Sequence, residues 1–312
     1  MSSMRELVTY RGVMVDSERW ERFEQRPGDI VISTPPKSGT TWTQMLCASM
    51  IFDGPTFPAM LDALSPWLDM RIRSEDEVFE MLDRQTHRRF IKTHTPLDGL
   101  PMRDDVSYVV VGRDPRDVMV SWEHHMANMD LAVLFQTRAE AVGLDDLVDY
   151  EPPVPEPDPA VRFRNFVEAE WSPEELVSLP NVLHHLDTGW EHRDDANVGL
   201  FHFLDYQRDL VGEMERLAEL CAIDLDRDRL AELAPEAGID RMRDRADEIV
   251  PGNAKSEHWK DPAGFFRSGA AGEWVERTTP ADRERYEERV AELVPDDLAR
   301  WAHEGGSDGR AR

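Results

Sequence analysis

This sequence has few cysteines, few lysines and no long hydrophobic run. Its two cysteines, Cys47 and Cys221, are too few for a disulfide scaffold in 312 residues, and we expect both to pack within helices. No Cys/His spacing has the form of a metal site, and no apolar run approaches the length of a membrane span. The opening residues, MSSMRELVTYRG, contain no apolar signal region. These absences predict a soluble cytoplasmic protein with no metal ligand set.

Acidic residues outnumber basic residues, and most of the basic residues are arginine. The formal net charge is −27, which argues against nucleic acid as a partner, because nucleic acid requires a basic surface. Of 36 basic residues only four are lysine, namely Lys37, Lys92, Lys255 and Lys260. An anionic ligand approaching so acidic a surface needs a local positive cluster. We predict that this cluster consists of Lys37, Lys92, Arg113 and Arg267.

Residues 29 to 42, DIVISTPPKSGTTW, predict a phosphate-binding turn between a strand and a helix. Two prolines end the β-branched strand, and Gly39 permits a turn that a side chain would block. The helix expected over residues 40 to 52 begins with unpaired amides and a positive dipole end, which bind anions. Further charge and donors come from Lys37, Ser38, Thr40 and Thr41. The ring of Trp42 follows and is suited to packing on a purine.

The order of residues in this turn differs from that of a Walker A loop. Lys-Ser precedes Gly-Thr-Thr here, whereas the Walker hydroxyl that binds Mg²⁺ follows a glycine and a lysine. A P-loop kinase or NTPase stays an alternative, with Asp205 at the end of an apolar strand as its acidic residue. A non-catalytic nucleotide-binding regulator is a second alternative. A requirement for a metal would distinguish a kinase or NTPase, and an absence of turnover would distinguish a non-catalytic regulator.

Two further segments place polar side chains at strand ends. The segment SYVVVGRDPRDVMVSW, residues 107 to 122, predicts a strand ending near Arg113 and a helix capped by Asp114 with Pro115 at its first position. The segment FIKTHTPLDGLP, residues 90 to 101, ends a short strand at His94, where open α/β sheets bind ligands. A histidine with an ordinary pKa can accept a proton from a hydroxyl group. We expect the other histidines, including His124, His125, His184 and His185, to be solvated or structural.

Several of these motifs resemble one enzyme family. PKSGTTW closely resembles the phosphosulfate loop of sulfotransferases that use 3′-phosphoadenosine 5′-phosphosulfate (PAPS). The 107 to 122 segment matches the family's strand-Arg…Ser element, K-x-H-x-P matches its catalytic-histidine segment, and FFRSGAAGEW resembles its closing loop R-K-G-x-x-G-D-W. Taken together, RRFIKTHTPLDGL, SYVVVGRDPRDVMVSW and DDLARWAHEG resemble the bacterial glycolipid sulfotransferase group.

The resemblance implies a reaction and a set of site residues. The reaction is transfer of the sulfuryl group from PAPS to a hydroxyl, with His94 as base and with Lys37 and Lys92 stabilising the developing charge. The product nucleotide would be adenosine 3′,5′-bisphosphate (PAP), and Ser268 stands where the family usually has lysine. The implied nucleotide contacts are Lys37, Ser38, Gly39, Thr40, Thr41, Trp42, Arg113, Ser121, Tyr206, Phe265, Arg267, Ser268 and Gly269.

The expected fold is one P-loop-like α/β domain over residues 1 to 312, with a central, mainly parallel sheet flanked by helices on both faces. Residues 125 to 185 show no strand period and include the Pro-rich run EPPVPEPDPA, so we expect an irregular acceptor-pocket or lid region there. Residues 250 to 274 would form the cofactor-closing loop. The acceptor could be a glycolipid, a phenol, a sterol or another alcohol. A homodimer stays an option, although Pro280 stands where the family's dimer motif has valine.

Overall fold

A computed structural model describes residues 6–148, 150, 154, 156–250, 258–266 and 271–306. Four strands form one sheet in the order β2-β1-β3-β4, and every neighbouring pair is parallel. The strands are β1 (Ile30–Ser33), β2 (Phe90–Thr93), β3 (Ser107–Gly112) and β4 (Val198–His202). All four are rich in β-branched or apolar residues and are buried along nearly their whole length, as strands covered on both faces must be.

Helices cover both faces of this sheet, which confirms the predicted α/β class. Alternate strand residues point to opposite sides, so that Ile32 and Val109 join one hydrophobic cluster while Val31 and Val110 join the other. The α-helices in chain order are α1 (Glu18–Arg22), α2 (Thr40–Ile51), α3 (Leu61–Leu64), α4 (Glu75–Asp83), α5 (Pro115–Asn128), α6 (Leu131–Val142), α7 (Pro159–Glu168), α8 (Leu179–Glu191), α9 (Phe203–Arg208), α10 (Leu210–Leu220), α11 (Arg227–Leu233), α12 (Ile239–Asp244), α13 (Ala246–Ile249), α14 (Pro280–Leu293) and α15 (Asp296–Glu304). Short 3₁₀ turns occupy Leu97–Gly99, Asp145–Leu147, Ala234–Ala237, Ala263–Phe265 and Glu273–Arg277.

Local capping signals mark the helix that follows β3. The carboxylate of Asp114 accepts a hydrogen bond from the Arg116 amide, and Pro115 occupies the first helical position of α5, as the sequence predicted. The first helix after β1, α2, begins directly after Gly39, whose φ of 109° lies in the left-handed region. Both helices therefore start at the carboxyl ends of adjacent parallel strands, and their amino ends meet at one edge of the sheet.

Three sequence predictions need correction. The apolar run after residue 198 leaves the sheet at His202, so Asp205 and Tyr206 lie in helix α9 rather than at a strand end. The carboxylate of Asp205 accepts hydrogen bonds from Arg208 and from the Gly306 amide, which gives it a structural role within the fold. Cys221 is buried but follows the last residue of α10 instead of lying within it.

The region from residue 125 to residue 185 is more helical than expected. It contains all of α6 and α7, the end of α5 and the start of α8. Its helices lack a shared period because α7 and α8 bury residues in the cluster on one face of the sheet, whereas Leu134 of α6 belongs to the other. Of the Pro-rich run, residues 151–153 and 155 lie outside the described part, and Pro159 begins α7.

The edge strand β2 is covered at its middle by the segment before it. The Lys92 amide donates to the Pro66 carbonyl at 3.0 Å, and the Leu68 amide donates to the Lys92 carbonyl at 3.2 Å. Trp67 forms a parallel bridge with Lys92. These bonds satisfy backbone groups that an edge strand would otherwise leave unpaired.

An ion pair between Asp29 and Arg89 ties the starts of β1 and β2 together. Arg89 Nε donates to Asp29 Oδ1 at 2.8 Å, and the two side chains are only 1% and 3% exposed. We expect Asp29→Asn to lower the free energy of unfolding by roughly 3 kcal/mol, because it leaves a buried guanidinium without its counter-charge. Urea denaturation followed by circular dichroism measures this loss.

The matched control is Asp105→Asn, which breaks an ion pair with Arg103 whose side chains are 45% and 44% exposed. Solvent already screens that pair, so the variant should unfold at nearly the wild-type urea concentration. Equal midpoints for the two variants would contradict a stabilising role of the Asp29 pair.

Candidate active site

The turn between β1 and α2 is shaped to hold an anion. Lys37 has a φ of 65° and Gly39 a φ of 109°, so two of three successive residues have a positive φ. The hydroxyl of Ser38 is fully buried and has no hydrogen-bond partner among the described residues. No side chain in the same part of the chain caps α2. Its first amides and the Ser38 hydroxyl are therefore available to a phosphate or sulfate group.

Lys37 lies between a histidine and an aromatic ring. Its Nζ is 3.2 Å from Nδ1 of His125 and 4.2 Å from the ring centroid of Phe265. An ammonium group only donates, so Nδ1 of His125 accepts and the imidazole carries its proton on Nε2. Burial, and then the charge of Lys37, lower the pKa of His125 well below its usual range. His125 is therefore a neutral imidazole at neutral pH.

The sequence suggested a solvated or structural role for His125, and the structure places this residue in the lining of the same cavity as Lys37. Its ring stacks on Trp122 at 5.3 Å with an angle of 22° between the planes. The available signal was spacing: His125 follows Ser121 by four residues, which places the two on one face of α5.

His94 is held by the backbone of the neighbouring strand. Its Nδ1 donates to the Thr34 carbonyl at 2.6 Å, and a carbonyl only accepts, so the lone pair of the neutral ring is on Nε2. Burial lowers the pKa of His94 well below its usual range, and the nearby charge of Lys92 adds to this effect. The ring is therefore unprotonated at neutral pH and able to accept a proton. It also lines the cavity.

Trp67 separates His94 from Lys92 and was not identified from the sequence. Its ring meets that of His94 edge-on at 4.5 Å, and Lys92 Nζ lies 4.2 Å from its centroid. Burial lowers the pKa of Lys92 to about 8, against the opposing attraction of Asp69 and Asp62. The cation is therefore retained at neutral pH but is close to its titration range.

Arg113 and Ser121 lie on the opposite side of the turn from β2. Arg113 donates from Nη1 to the Lys37 carbonyl at 2.9 Å, and its guanidinium lies 4.3 Å from the Phe203 ring centroid. Ser121 is half-buried on α5 and lines the cavity with Arg113. The Gly272 amide donates to Asp117 Oδ1 at 2.8 Å, one turn before Ser121 on the same helix. Of the predicted closing-loop contacts, Arg267, Ser268 and Gly269 lie outside the described residues.

An aromatic group lies beside the start of α2. Trp42 packs edge-on at 5.5 Å against both Phe203 and Tyr206. The Tyr206 hydroxyl is 3.1 Å from the Thr43 hydroxyl, and burial raises the pKa of that tyrosine. Trp42 and Phe203 line the cavity directly, while Tyr206 supports them from behind. Trp274, the last residue of FFRSGAAGEW, stacks on Arg116 with the guanidinium 3.9 Å from its ring centroid.

A cavity of about 970 Å³ joins these groups. At one side it contains the turn, His94, Lys92 and Arg113, and elsewhere it is lined by apolar residues that include Met70, Leu134, Met242 and Ile249. This volume lies at the upper end of the range of about 300 to 1,000 Å³ that is typical of small-molecule sites in proteins. Within the described ranges no cluster of three His, Cys, Asp or Glu residues could hold a metal, and no helix could span a membrane.

Comparison with known proteins identifies the family. The sequence pattern of the family described as Sulfotransferase domain matches residues 27–297. Two relatives named Glycolipid sulfotransferase, from Mycobacterium bovis and Mycobacterium tuberculosis, are each 44% identical over 97% of this chain and 96% of their own. Sulfotransferase 1 family member D1 from Rattus norvegicus is 25% identical over 96% of this chain and 97% of that protein.

Solved structures show the same fold. A mouse sulfotransferase complexed with PAP superposes with a TM-score of 0.65 at 19% identity, covering 91% of this chain and 92% of that one. Retinol dehydratase in complex with retinol and PAP gives a TM-score of 0.64 at 20% identity, covering 90% of this chain and 87% of that one. The family resemblance drawn from the motifs is confirmed. The chain therefore belongs to the sulfotransferase family, the enzymes that transfer a sulfuryl group from PAPS to an acceptor.

Proposed function

We propose that this sulfotransferase sulfates a hydroxyl of a glycolipid acceptor, with His94 as the general base. The observation that carries the base assignment is the 2.6 Å bond from His94 Nδ1 to the Thr34 carbonyl. This bond leaves the Nε2 lone pair for the acceptor proton in a ring that burial keeps neutral. The alternatives of a kinase and a binding regulator have no support of comparable weight.

PAPS supplies the sulfuryl group, and the bond from sulfur to the phosphate oxygen breaks so that PAP leaves. As the acceptor oxygen forms its bond to sulfur, His94 Nε2 takes the hydroxyl proton. Lys92 stabilises negative charge on the sulfuryl oxygens, and Lys37 stabilises charge at the leaving phosphate. This displacement depends more on how the protein positions the donor and the acceptor than on covalent participation by the protein. The buried Ser38 hydroxyl and the open amides of α2 fit the phosphosulfate end of the donor.

The remaining predicted contacts are assigned to the nucleotide. Arg113 and Ser121 would bind its 3′-phosphate, and the Trp42 and Phe265 rings lie where an adenosine can pack. The same role is proposed for Gly39, Thr40, Thr41, Tyr206, Arg267, Ser268 and Gly269. A glycolipid acceptor is supported by the two mycobacterial relatives and by the apolar lining of the cavity. The cytoplasmic location and the homodimer predicted from the sequence stay predictions.

Transfer of label from ³⁵S-labelled PAPS tests the function. We expect labelled product with glycolipid acceptors in the presence of excess EDTA, because lysine and arginine side chains supply the positive charge. His94→Ala should reduce turnover by about 100-fold or more, since it removes the group that accepts the proton. PAP affinity, measured by calorimetry, should stay close to that of the wild type.

The control variant is His87→Ala, a half-buried histidine that packs on Phe52 and does not line the cavity. It should keep wild-type turnover. Near-normal turnover in His94→Ala would reject the base assignment, and a strict Mg²⁺ requirement together with ATP turnover would favour the kinase alternative.

The pH dependence of kcat/KM should report the charge of Lys92. Because its pKa is lowered to about 8, the ammonium is present below that pH and is lost above it. The rate should therefore fall as the pH rises through about 8. In Lys92→Arg the guanidinium stays charged, so this falling limb should move to higher pH even if the maximal rate is lower.

Lys260→Arg is the matched control, because Lys260 is exposed and its side chain donates to the Ala127 carbonyl. Its pH profile should coincide with that of the wild type. A falling limb that persists unchanged in Lys92→Arg would assign the titration to another group.

Nucleotide discrimination tests the 3′-phosphate site. PAP should bind about 100-fold more tightly than AMP, because charged hydrogen bonds contribute roughly 1.5 to 3 kcal/mol each. Arg113→Ala should remove most of this ratio, whereas Arg113→Lys should keep part of it through its charge. Calorimetric titration of both nucleotides into the three proteins gives the ratios.

The ratio is the informative quantity because Arg113 also holds the Lys37 carbonyl, and its loss can weaken both nucleotides equally. Equal affinities for PAP and AMP in the wild type would reject a 3′-phosphate site. A preference that survives in Arg113→Ala would assign the recognition to the closing loop.

A further inference from the structure

A hydrogen-bonded cluster lies at the wall of the cavity and has no role in the mechanism above. Tyr10 Oη donates to Asp98 Oδ1 at 2.8 Å, and His184 Nε2 donates to Asp98 Oδ2 at 3.0 Å. Trp171 meets both rings edge-on, at 6.5 Å from Tyr10 and 5.3 Å from His184. Four segments that are distant in sequence therefore converge on one point. Tyr10, Trp171 and His184 line the cavity.

The hydrogen bonds fix the proton positions in this cluster. Burial alone would raise the pKa of Asp98, but the bonds from His184 and Tyr10 outweigh it and lower that pKa. The group is a carboxylate at neutral pH, and a carboxylate only accepts. His184 must therefore carry hydrogen on Nε2, and in its neutral form Nδ1 has the lone pair. Among the described residues Nδ1 of His184 has no hydrogen-bond partner.

The cluster lies close to the candidate base. Asp98 follows His94 by four residues through the 3₁₀ turn after β2. His185, the neighbour of His184 on α8, is 3.0 Å from the Ser33 hydroxyl at the end of β1. Ser33 in turn donates to the Thr95 carbonyl at 2.6 Å, next to His94. His94, Tyr10, Trp171 and His184 also line the same cavity, so one ligand in that cavity can contact both His94 and the cluster.

The lining of the cavity combines polar and apolar groups. Tyr10 and His184 line it, as do Leu134, Met242 and Ile249, which belong to the hydrophobic cluster on one face of the sheet. An acceptor that suits this lining is amphiphilic, with a hydroxyl-bearing head and an apolar tail.

Exposure distinguishes this cluster from a purely structural one. The His184 side chain is 31% exposed, and Trp171 is 41% exposed although it is a large aromatic residue. A cluster whose role is only to hold Tyr10 to α8 has no need for an open imidazole nitrogen or for an accessible indole. Both features suit a saccharide, whose hydroxyls donate hydrogen bonds and whose C–H face packs on aromatic rings.

We propose that Tyr10, Asp98, Trp171 and His184 form a subsite for the saccharide head of the acceptor. Nδ1 of His184 accepts a hydrogen bond from a sugar hydroxyl other than the one sulfated, and the Trp171 ring packs on the sugar. Asp98 and Tyr10 are positioning residues that hold His184 in the required tautomer. This inference deepens the proposed function and rests on its choice of a glycosylated acceptor.

Two acceptors with the same tail test the subsite: octyl β-D-glucopyranoside, below its critical micelle concentration, and 1-octanol. Wild-type protein should sulfate the glucoside with the higher kcat/KM. Trp171→Ala and His184→Gln should each lower kcat/KM for the glucoside by about tenfold and for octanol by no more than about twofold. Glutamine can still donate to Asp98 but has no acceptor at the Nδ1 position.

Leu131→Ala is the matched control, because Leu131 also lines the cavity and is 38% exposed but carries no polar group. It should lower kcat/KM for both acceptors to a similar extent. PAP affinity should be unchanged in all three variants, which would exclude a general loss of structure.

The outcomes separate the subsite from the function it depends on. Equal losses for both acceptors in Trp171→Ala and His184→Gln would overturn the subsite, as would sulfation of octanol without sulfation of the glucoside. Absence of sulfuryl transfer to any acceptor, with PAP still bound, would instead overturn the proposed function.

Discussion

The parallel pairing of β1 with β2 is the constraint on which the active site depends. Ser33 pairs with Thr93 at the last rung, so the next residues of the two strands, Thr34 and His94, leave the sheet side by side. The bond from His94 to the Thr34 carbonyl follows directly from that register. It sets the tautomer of the proposed base and holds that ring beside the proposed phosphate-binding turn, which is the continuation of β1. A shift of one residue in this pairing would turn the imidazole to the other face of the sheet.

Positive charge is concentrated at the candidate active site, although the protein as a whole is acidic. Lys92 is buried against Trp67, and Lys37 shares its ammonium between a neutral histidine and an aromatic ring. Burial lowers the pKa of Lys92 despite the attraction of Asp69 and Asp62. A polyanionic ligand placed beside these two ammonium groups would stabilise their charged forms. Such a cluster would attract anions to this place in a protein whose net charge is −27.

Sequence reasoning was most successful where the signal is local. The strand, turn and helix around Lys37, and the capped helix after Arg113, were predicted because proline, glycine and capping residues act within a few positions of themselves. His125, Trp67 and the cluster around Asp98 were missed because their roles depend on contacts between segments far apart in the chain. The helical content of residues 125 to 185 was underestimated for a related reason. Its helices pack against different partners, so no common period marks them.

The segment that supplies Trp67 also closes the free edge of β2. Lys92 has its amide bonded to Pro66 and its carbonyl bonded to Leu68, so the strand that carries this lysine offers no open backbone there to another chain. Residues 66 to 68 therefore affect both the arrangement of the proposed catalytic side chains and the exposure of the sheet edge. A change that loosens residues 66 to 68 would move the Trp67 ring away from His94 and Lys92. It would also expose the edge of β2, where a second molecule could add a strand.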